Sequence, residues 1–239
     1  SDQYNRLLNM DLSEFIRFIG ESGYHEEIHT LSHSYHEIEL IEQALTQNLA
    51  KTYRNILSIS PGGLRDLAER YFTRYDIENV MLILRGCQFQ IPPDKIRAVL
   101  IPAGILDPVK LDQLLALRSV TEIINHLSSW TGHHILSSGI SGEYKRGTFA
   151  SLENDLYIAY YSNLLADAKS GYQGGDVIIP HLRFEIDIQN IRNIFRLRAG
   201  SNVRDITPYM IPGGYKTPND FQRLYGITDR EEFVNELSN

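Results

Sequence analysis

The chain has 239 residues, with 23 Lys+Arg against 30 Asp+Glu, a formal net charge of −7 and 42% apolar side chains. That acidic balance argues against a nucleic-acid binder held by phosphate contacts, and the length suits one or two domains, each able to bury a core. The longest stretch free of Asp, Glu, Lys and Arg, Ile123 to Gly142, carries Ser128, Ser129, His133, His134, Ser137 and Ser138 and is too polar to cross a bilayer. Cys87, the single cysteine, cannot form an internal disulfide, and no apolar run with a cationic flank opens the chain, so a reducing cytoplasm is the expected compartment.

In chain order, His25, His29, His33 and His36 come first among residues that could carry chemistry. Steps of four would stack imidazoles on one helical face at metal-ligand spacing. Gly23-Tyr24 and Ser32, Ser34, Tyr35 break such a helix, so surface histidines in a connecting segment are the stronger reading. Ile38, Ile41, Leu45, Leu49, Ile56 and Leu57 then recur at helical steps and predict one amphipathic face. Ser60-Pro61-Gly62-Gly63 interrupts that helix, with Ser60 expected to cap its continuation over Leu64 to Tyr71. Ile77, Val80, Met81 and Leu84 fall on one side of the next helical block. Ser137 to Thr148 reads as a linker, Gly171 to Gly175 as a second break, and Asp176 to Ile179 as a short strand candidate that leads into a helix. The fold class is all-α.

Internal similarity is the most informative feature. Asp76-Ile77-Glu78-Asn79-Val80 recurs as Asp187-Ile188-Gln189-Asn190-Ile191, and Ile83-Leu84-Arg85 recurs as Ile194-Phe195-Arg196, both displaced by 111. Leu100-Ile101-Pro102-Ala103-Gly104 answers Met210-Ile211-Pro212-Gly213-Gly214 at 110. Glu122-Ile123-Ile124-Asn125 answers Glu232-Phe233-Val234-Asn235 at 110, and Glu14-Phe15-Ile16-Arg17 precedes it by 108. The chain is read as two helical units and the start of a third: 1–142, then 143–239. The expectation is a piece of a longer protein, with a natural two-unit protein as the alternative.

The repeated polar residues are Asp76, Asn79 and Arg85 in one unit and Asp187, Asn190 and Arg196 in the other. At 100° per residue, each Asp and Asn share the rim of the apolar stripe while each Arg points away, so carboxylate and guanidinium are expected to find partners on other helices. A structural hydrogen-bond network is preferred to acid/base catalysis, because the copies lie in different units and buried charges must be paired. The two Ile-Pro blocks read as helix exits that re-aim the chain. No nucleotide loop or Gly-x-Ser-x-Gly elbow occurs, and Cys87 has no evident catalytic partner. No cofactor and no catalytic residue is expected. The metal candidate is confined to His25, His29 and His33.

Together these residues resemble a known family: the C subunit of archaeal A-type and bacterial V-type ATP synthases, equivalent to the d subunit of eukaryotic V-ATPases. The resemblance rests on Tyr53-Arg54 before Ser60-Pro61-Gly62, Arg74 to Asn79 leading to Leu84-Arg85-Gly86, and Leu100 to Gly104. It continues through Leu152-Glu153-Asn154 with Tyr160-Tyr161, Glu185 to Ile191, and Ile211 to Gly214. It implies a funnel of three related helical wedges about a pseudo-threefold axis, of which two and a fraction are present. It further implies a non-catalytic socket on the cytoplasmic face of the membrane, seated on the proteolipid ring and receiving the central stalk, with no nucleic acid and no small-molecule substrate. A helical-repeat scaffold for some other partner, or a metal-dependent protein centred on the histidines, are the alternatives.

Overall fold

A computed structural model describes residues 2–141, 149–171, 174–200 and 203–238. Among them are thirteen α-helices and no strand: α1 Asp2–Leu8, α2 Leu12–Gly20, α3 His25–Leu31, α4 Glu37–Ile59, α5 Gly62–Gln88, α6 Pro93–Arg97, α7 Pro108–Leu115, α8 Val120–His126, α9 His133–Ser141, α10 Ala150–Lys169, α11 Gly175–Gly200, α12 Pro218–Gly226 and α13 Arg230–Ser238. The residue-142 boundary and the 142–148 part of the linker lie outside the described residues, as do 172 and 173 of the second break. The first part of that linker is helical in α9.

Each short helix at the matching glutamates is started in the same way. The backbone N–H of Glu14, Glu122 and Glu232 donates to the side chain three residues earlier, at Asp11, Ser119 and Asp229 respectively. Donors that the helix itself leaves orphaned are thus satisfied locally.

Four of the local expectations are corrected. Ser60 ends α4 rather than starting α5: its N–H and its hydroxyl both donate to the Ile56 carbonyl, and α5 begins after Pro61 with no side-chain cap. Asp176 to Ile179 are the first turns of α11, not a strand, because the β-branched run is followed within the same helix by the apolar spacing of Leu182 and Ile186. In α4 the buried seam is Leu40, Ile41, Ala44 and Ala50, while Ile38, Leu45 and Ile56 are exposed. Ala44 and Ala50 let α4 approach its neighbours closely between its buried and exposed large residues. Finally, neither Ile-Pro block leaves an α-helix: Ile101 to Gly104 lies between α6 and α7, and Ile211 to Gly214 follows a 3₁₀ turn over Thr207–Tyr209.

The main core is continuous across α5, α7, α8, α9, α10 and α11, with Met81, Leu84, Ile123, Leu136, Leu164, Leu182 and Ile186 at its centre. Helix α10 lies between the two long helices, antiparallel to α5: Arg70 pairs with Asp167 at 2.9 Å near one end and Arg85 with Glu153 at 2.7 Å near the other. Smaller clusters close the ends. One joins α2, α3 and α4 through Ile19, Ile28 and Leu40, and another joins α11, α12 and α13 through Ile194, Phe221 and Phe233. Among the described residues, no helix is long and apolar enough to cross a membrane.

Candidate functional site

Asp76 and Asn79 sit on consecutive turns of α5 and are fully buried, not at a rim. Their partners are not another helix but the backbone of the loop that follows α6. Asn79 donates from Nδ2 to the Ile101 carbonyl at 2.7 Å and accepts the Ile101 N–H at Oδ1 at 2.9 Å. Asp76 accepts the N–H groups of Ile105 and Leu106, one on each carboxylate oxygen, both at 2.9 Å. A side-chain amide imitates a backbone partner and an acceptor-only carboxylate takes two amides, so a loop without secondary structure has its buried groups paired.

The second copy repeats this atom for atom. Asn190 exchanges the same two bonds with Ile211, at 2.9 and 2.7 Å, and Asp187 accepts from Tyr215 at 3.0 Å and Lys216 at 3.3 Å. Glycine follows from the close approach: a Cβ at Gly104 would stand 2.2 Å from Asp76 Oδ1, and one at Gly214 would stand 2.0 Å from Asp187 Oδ1. Gly213 has a φ of +105°, where an L side chain is strained. Burial pushes the Asp76 carboxyl up to about 6, against the opposing pull of the Leu106 and Ile105 amides and the Lys110 charge. Burial likewise raises Asp187, which its own loop amides and Lys216 counter.

The two repeated arginines do leave their helices for another. Arg85 of α5 and Arg196 of α11 both donate to Glu153 Oε2 on α10, at 2.7 and 3.4 Å. One carboxylate therefore bridges the two arginines that the sequence displaces by 111. Glu153 is largely buried while Arg196 is more than half exposed, so the Arg85 arm is the stronger.

A second polar seam lies outside the motifs. Arg74 of α5 pairs with Glu185 of α11 and donates to the hydroxyls of Tyr71 and Tyr75, lying 4.5 and 5.0 Å from their ring centroids. Tyr71 also donates to Glu185, meets His181 Nε2 at 3.0 Å, and accepts at its carbonyl from Tyr160. Burial alone would lower the Arg74 guanidinium, but its bond to Tyr75 and the Glu185 charge hold it above its usual value. Burial, with the Tyr53 hydrogen bond, pushes Tyr75 up to about 12. A signal for this seam exists in the sequence. Arg74 and Glu185 are themselves displaced by 111, so one repeat position carries opposite charges in its two copies.

The histidines divide between elements: His25 opens α3, His33 lies in the turn after it, and His36 precedes α4. Ring centroids of His25, His29 and His33 are 6.2 and 6.3 Å apart, and His25 Nδ1 is held to the Gly20 carbonyl at 2.7 Å. Among the described residues, no group of three or more His, Cys, Asp or Glu could hold a metal ion. Cys87 is half-buried, and burial together with Glu122 raises its thiol, which reduces the reactive thiolate.

What fold and geometry define is an all-α protein whose repeated polar residues tie loops to long helices and long helices to one another. The profile of the family described as "ATP synthase (C/AC39) subunit" matches residues 1–239. The C subunit of the A-type ATP synthase of Archaeoglobus fulgidus is 30% identical over 237 residues, which is 99% of this chain and 67% of that protein. Its counterpart in Methanosarcina acetivorans is 35% identical over 240 residues, which is 99% of this chain and 64% of its own length. That of Haloferax volcanii is 33% identical over 218 residues, 89% of this chain and 61% of its own. The chain belongs to the ATP synthase (C/AC39) subunit family. It spans about two thirds of the length of the curated relatives it matches.

Proposed function

We propose that this chain serves as a non-catalytic socket of a rotary ATP synthase or ATPase, joining the membrane proteolipid ring to the central stalk and passing torque during proton- or sodium-coupled ATP synthesis or hydrolysis. It would act from the cytoplasmic face, as a peripheral subunit. Membership in the family supports this complex, and one structural observation supports the role within it. The core is unbroken from α5 to α11, and charged bridges cross it at Arg70–Asp167, Arg74–Glu185 and Arg85–Glu153–Arg196.

A part that passes torque must turn without bending, and close-packed helices joined by partly buried ion pairs resist shear because any slip opens voids and unpairs charges. The loops anchored by Asn79 and Asn190 would keep the ends of the body from fraying under load. The repeated Asp and Arg residues are proposed as parts of this bracing and not as a catalytic set. The test is a pull-down with purified central-stalk subunits and with detergent-solubilised proteolipid ring. Retention of either by the folded chain is the expected result. A chain that is helical by circular dichroism yet binds neither would leave only a scaffold for some other partner.

A further inference from the structure

Between α3, α4 and the α6–α7 segment lies a cleft of about 480 Å³, within the size range of small-molecule sites. Its walls all come from residues 26 to 112, and Gln43 of α4 ties two of them together by donating to the Ala98 carbonyl just after α6. Ala50, Leu100, Pro102 and Leu111 supply an aliphatic lining. Six charged residues share the cleft: Glu26, Glu27, Asp112, Lys51, Arg54 and Arg97.

Most of that charge is matched internally. Arg97 pairs with Asp112 at 2.7 Å, and Lys51 pairs with Glu26 and reaches Glu27 Oε1 at 3.3 Å. One lysine thus serves two carboxylates, and two groups are left over. Glu27 is only 5% exposed, yet its Oε2 is buried with no hydrogen-bond partner among the described residues. Asn48 stands nearby, but its Nδ2 donates to the Gly23 carbonyl at 3.3 Å. Burial opposes the charge on Glu27, while its own backbone amide and the neighbouring Asn48 and Lys51 outweigh burial and hold the carboxyl below its usual range. Arg54, one turn beyond Lys51 on the same face of α4, is exposed and forms no ion pair among the described residues.

A buried carboxylate oxygen without a donor is costly and calls for a partner. Among the described residues no carboxylates gather into a metal-holding group, so the fitting partner is a cation that brings its own N–H donors. Nor does this charge belong to the repeated bracing: at the displacement of 108 that relates Tyr53 to Tyr161, the positions of Glu27, Lys51 and Arg54 hold Ile135, Ala159 and Ser162.

We propose that the cleft binds a small zwitterion, an aliphatic amino acid whose primary ammonium completes Glu27 and whose carboxylate meets Arg54. One surplus charge of each sign is answered by one ligand carrying both, and its methylenes lie along Leu100 and Leu111. Lys51, whose side chain is 43% exposed, opens the way to Glu27 by turning toward Glu26 alone. The site lies within the first unit and does not rest on the rotary reading.

Isothermal titration calorimetry with δ-aminovalerate tests it, against pentylamine and valerate, which each carry one end of the same chain. The expected result is saturable binding of δ-aminovalerate at one site per chain, with either one-ended compound at least about tenfold weaker because it forgoes a charge-assisted contact. Glu27→Gln and Arg54→Ala should each weaken δ-aminovalerate by about the same factor. Glu27→Gln should leave valerate unaffected and Arg54→Ala should leave pentylamine unaffected, which a general loss of structure would not do. Circular dichroism verifies folding, and the exposed Arg54 keeps the test open even if Glu27→Gln does not fold. Absence of binding by δ-aminovalerate at millimolar concentration overturns the proposal. So does pentylamine binding as tightly as δ-aminovalerate, which would make this a simple cation site, or an Arg54→Ala variant that binds δ-aminovalerate like the parent.

Discussion

Replacing Asn190 by alanine removes at once the partners of both backbone polar groups of one buried residue, Ile211. The Ile211 N–H at 2.7 Å and the Ile211 carbonyl at 2.9 Å have their partners in this side chain, and Ile211 and Asn190 are both fully buried. Each orphaned group costs about 1–3 kcal/mol when water cannot reach it, and the space left by the amide adds a smaller cavity cost. The expected loss is about 3–5 kcal/mol of unfolding free energy, a large share of a typical total of about 5–15 kcal/mol. The equivalent change at Asn79 serves as an internal comparison. Its bonds to Ile101 have nearly the same lengths, but Ile101 is partly exposed, so water can replace some of what is lost. About 2–3 kcal/mol is expected there. Urea denaturation followed by far-UV circular dichroism measures both, with the midpoint moving and the slope preserved. A loss below about 0.5 kcal/mol at Asn190, or a larger loss at Asn79 than at Asn190, would refute the view that the loops are held by these amides in proportion to their burial.

Three further outcomes follow from the same geometry. Gly104→Ala should destabilise by about 2 kcal/mol or more, since its Cβ meets the Asp76 carboxylate, which has no room to retreat, whereas Gly226→Ala, with nothing within 4 Å, should be neutral or stabilising by about 0.5 kcal/mol; thermal melting of the two variants would contradict this if they shifted alike. Glu153→Ala unpairs Arg85 and Arg196 together and should cost about 1–3 kcal/mol, and in a double-mutant cycle Arg85→Ala should couple to it more strongly than Arg196→Ala. The pH dependence is set by sign: with the Asp76 carboxyl raised from 3.8 to about 6, the folded state holds the extra proton between those values, so its contribution to stability is fully present below about 4 and is lost as pH rises through about 6. Over that window the parent should lose about 1–3 kcal/mol that Asp76→Asn does not lose, and difference curves that run flat from about pH 4 to 6.5 would count against a protonated Asp76.

The helical class and the equivalence of particular positions were legible before any coordinates. Apolar spacing at 3.6 residues per turn is a local property, and a recurring Asp-Ile-x-Asn displaced by 111 is visible in the residues alone. The side-chain spacing along α5 also implies that Arg85 points away from Asp76, because nine positions separate them on the helix. Partners are another matter. That Asp76 and Asn79 hold a loop and not a helix depends on where residues some twenty to thirty positions later return, which is set by α6 and the turn after it. That Arg85 and Arg196 share Glu153 depends on α10 lying between α5 and α11, and no periodicity within one segment contains that placement.

Burial was decided at the same level. Of the face that periodicity marks, Ile41 is buried, but Ile38, Leu45 and Ile56 are exposed, and the tertiary contacts bury Leu40, Ala44 and Ala50 beside Ile41. A helix face is assigned inward or outward by what packs against it, and close approach selects small residues. The same reason separates Leu84 from Phe195, which lie 111 positions apart: the first is fully buried in the main core, and the second is 53% exposed with Phe233 of α13 against its ring. Bond geometry within one segment is enough to set which side chains share a face, whereas the neighbour that covers the face, and with it the desolvation that raises Asp76 and locks Arg74 to Glu185, exists only once distant segments are brought together.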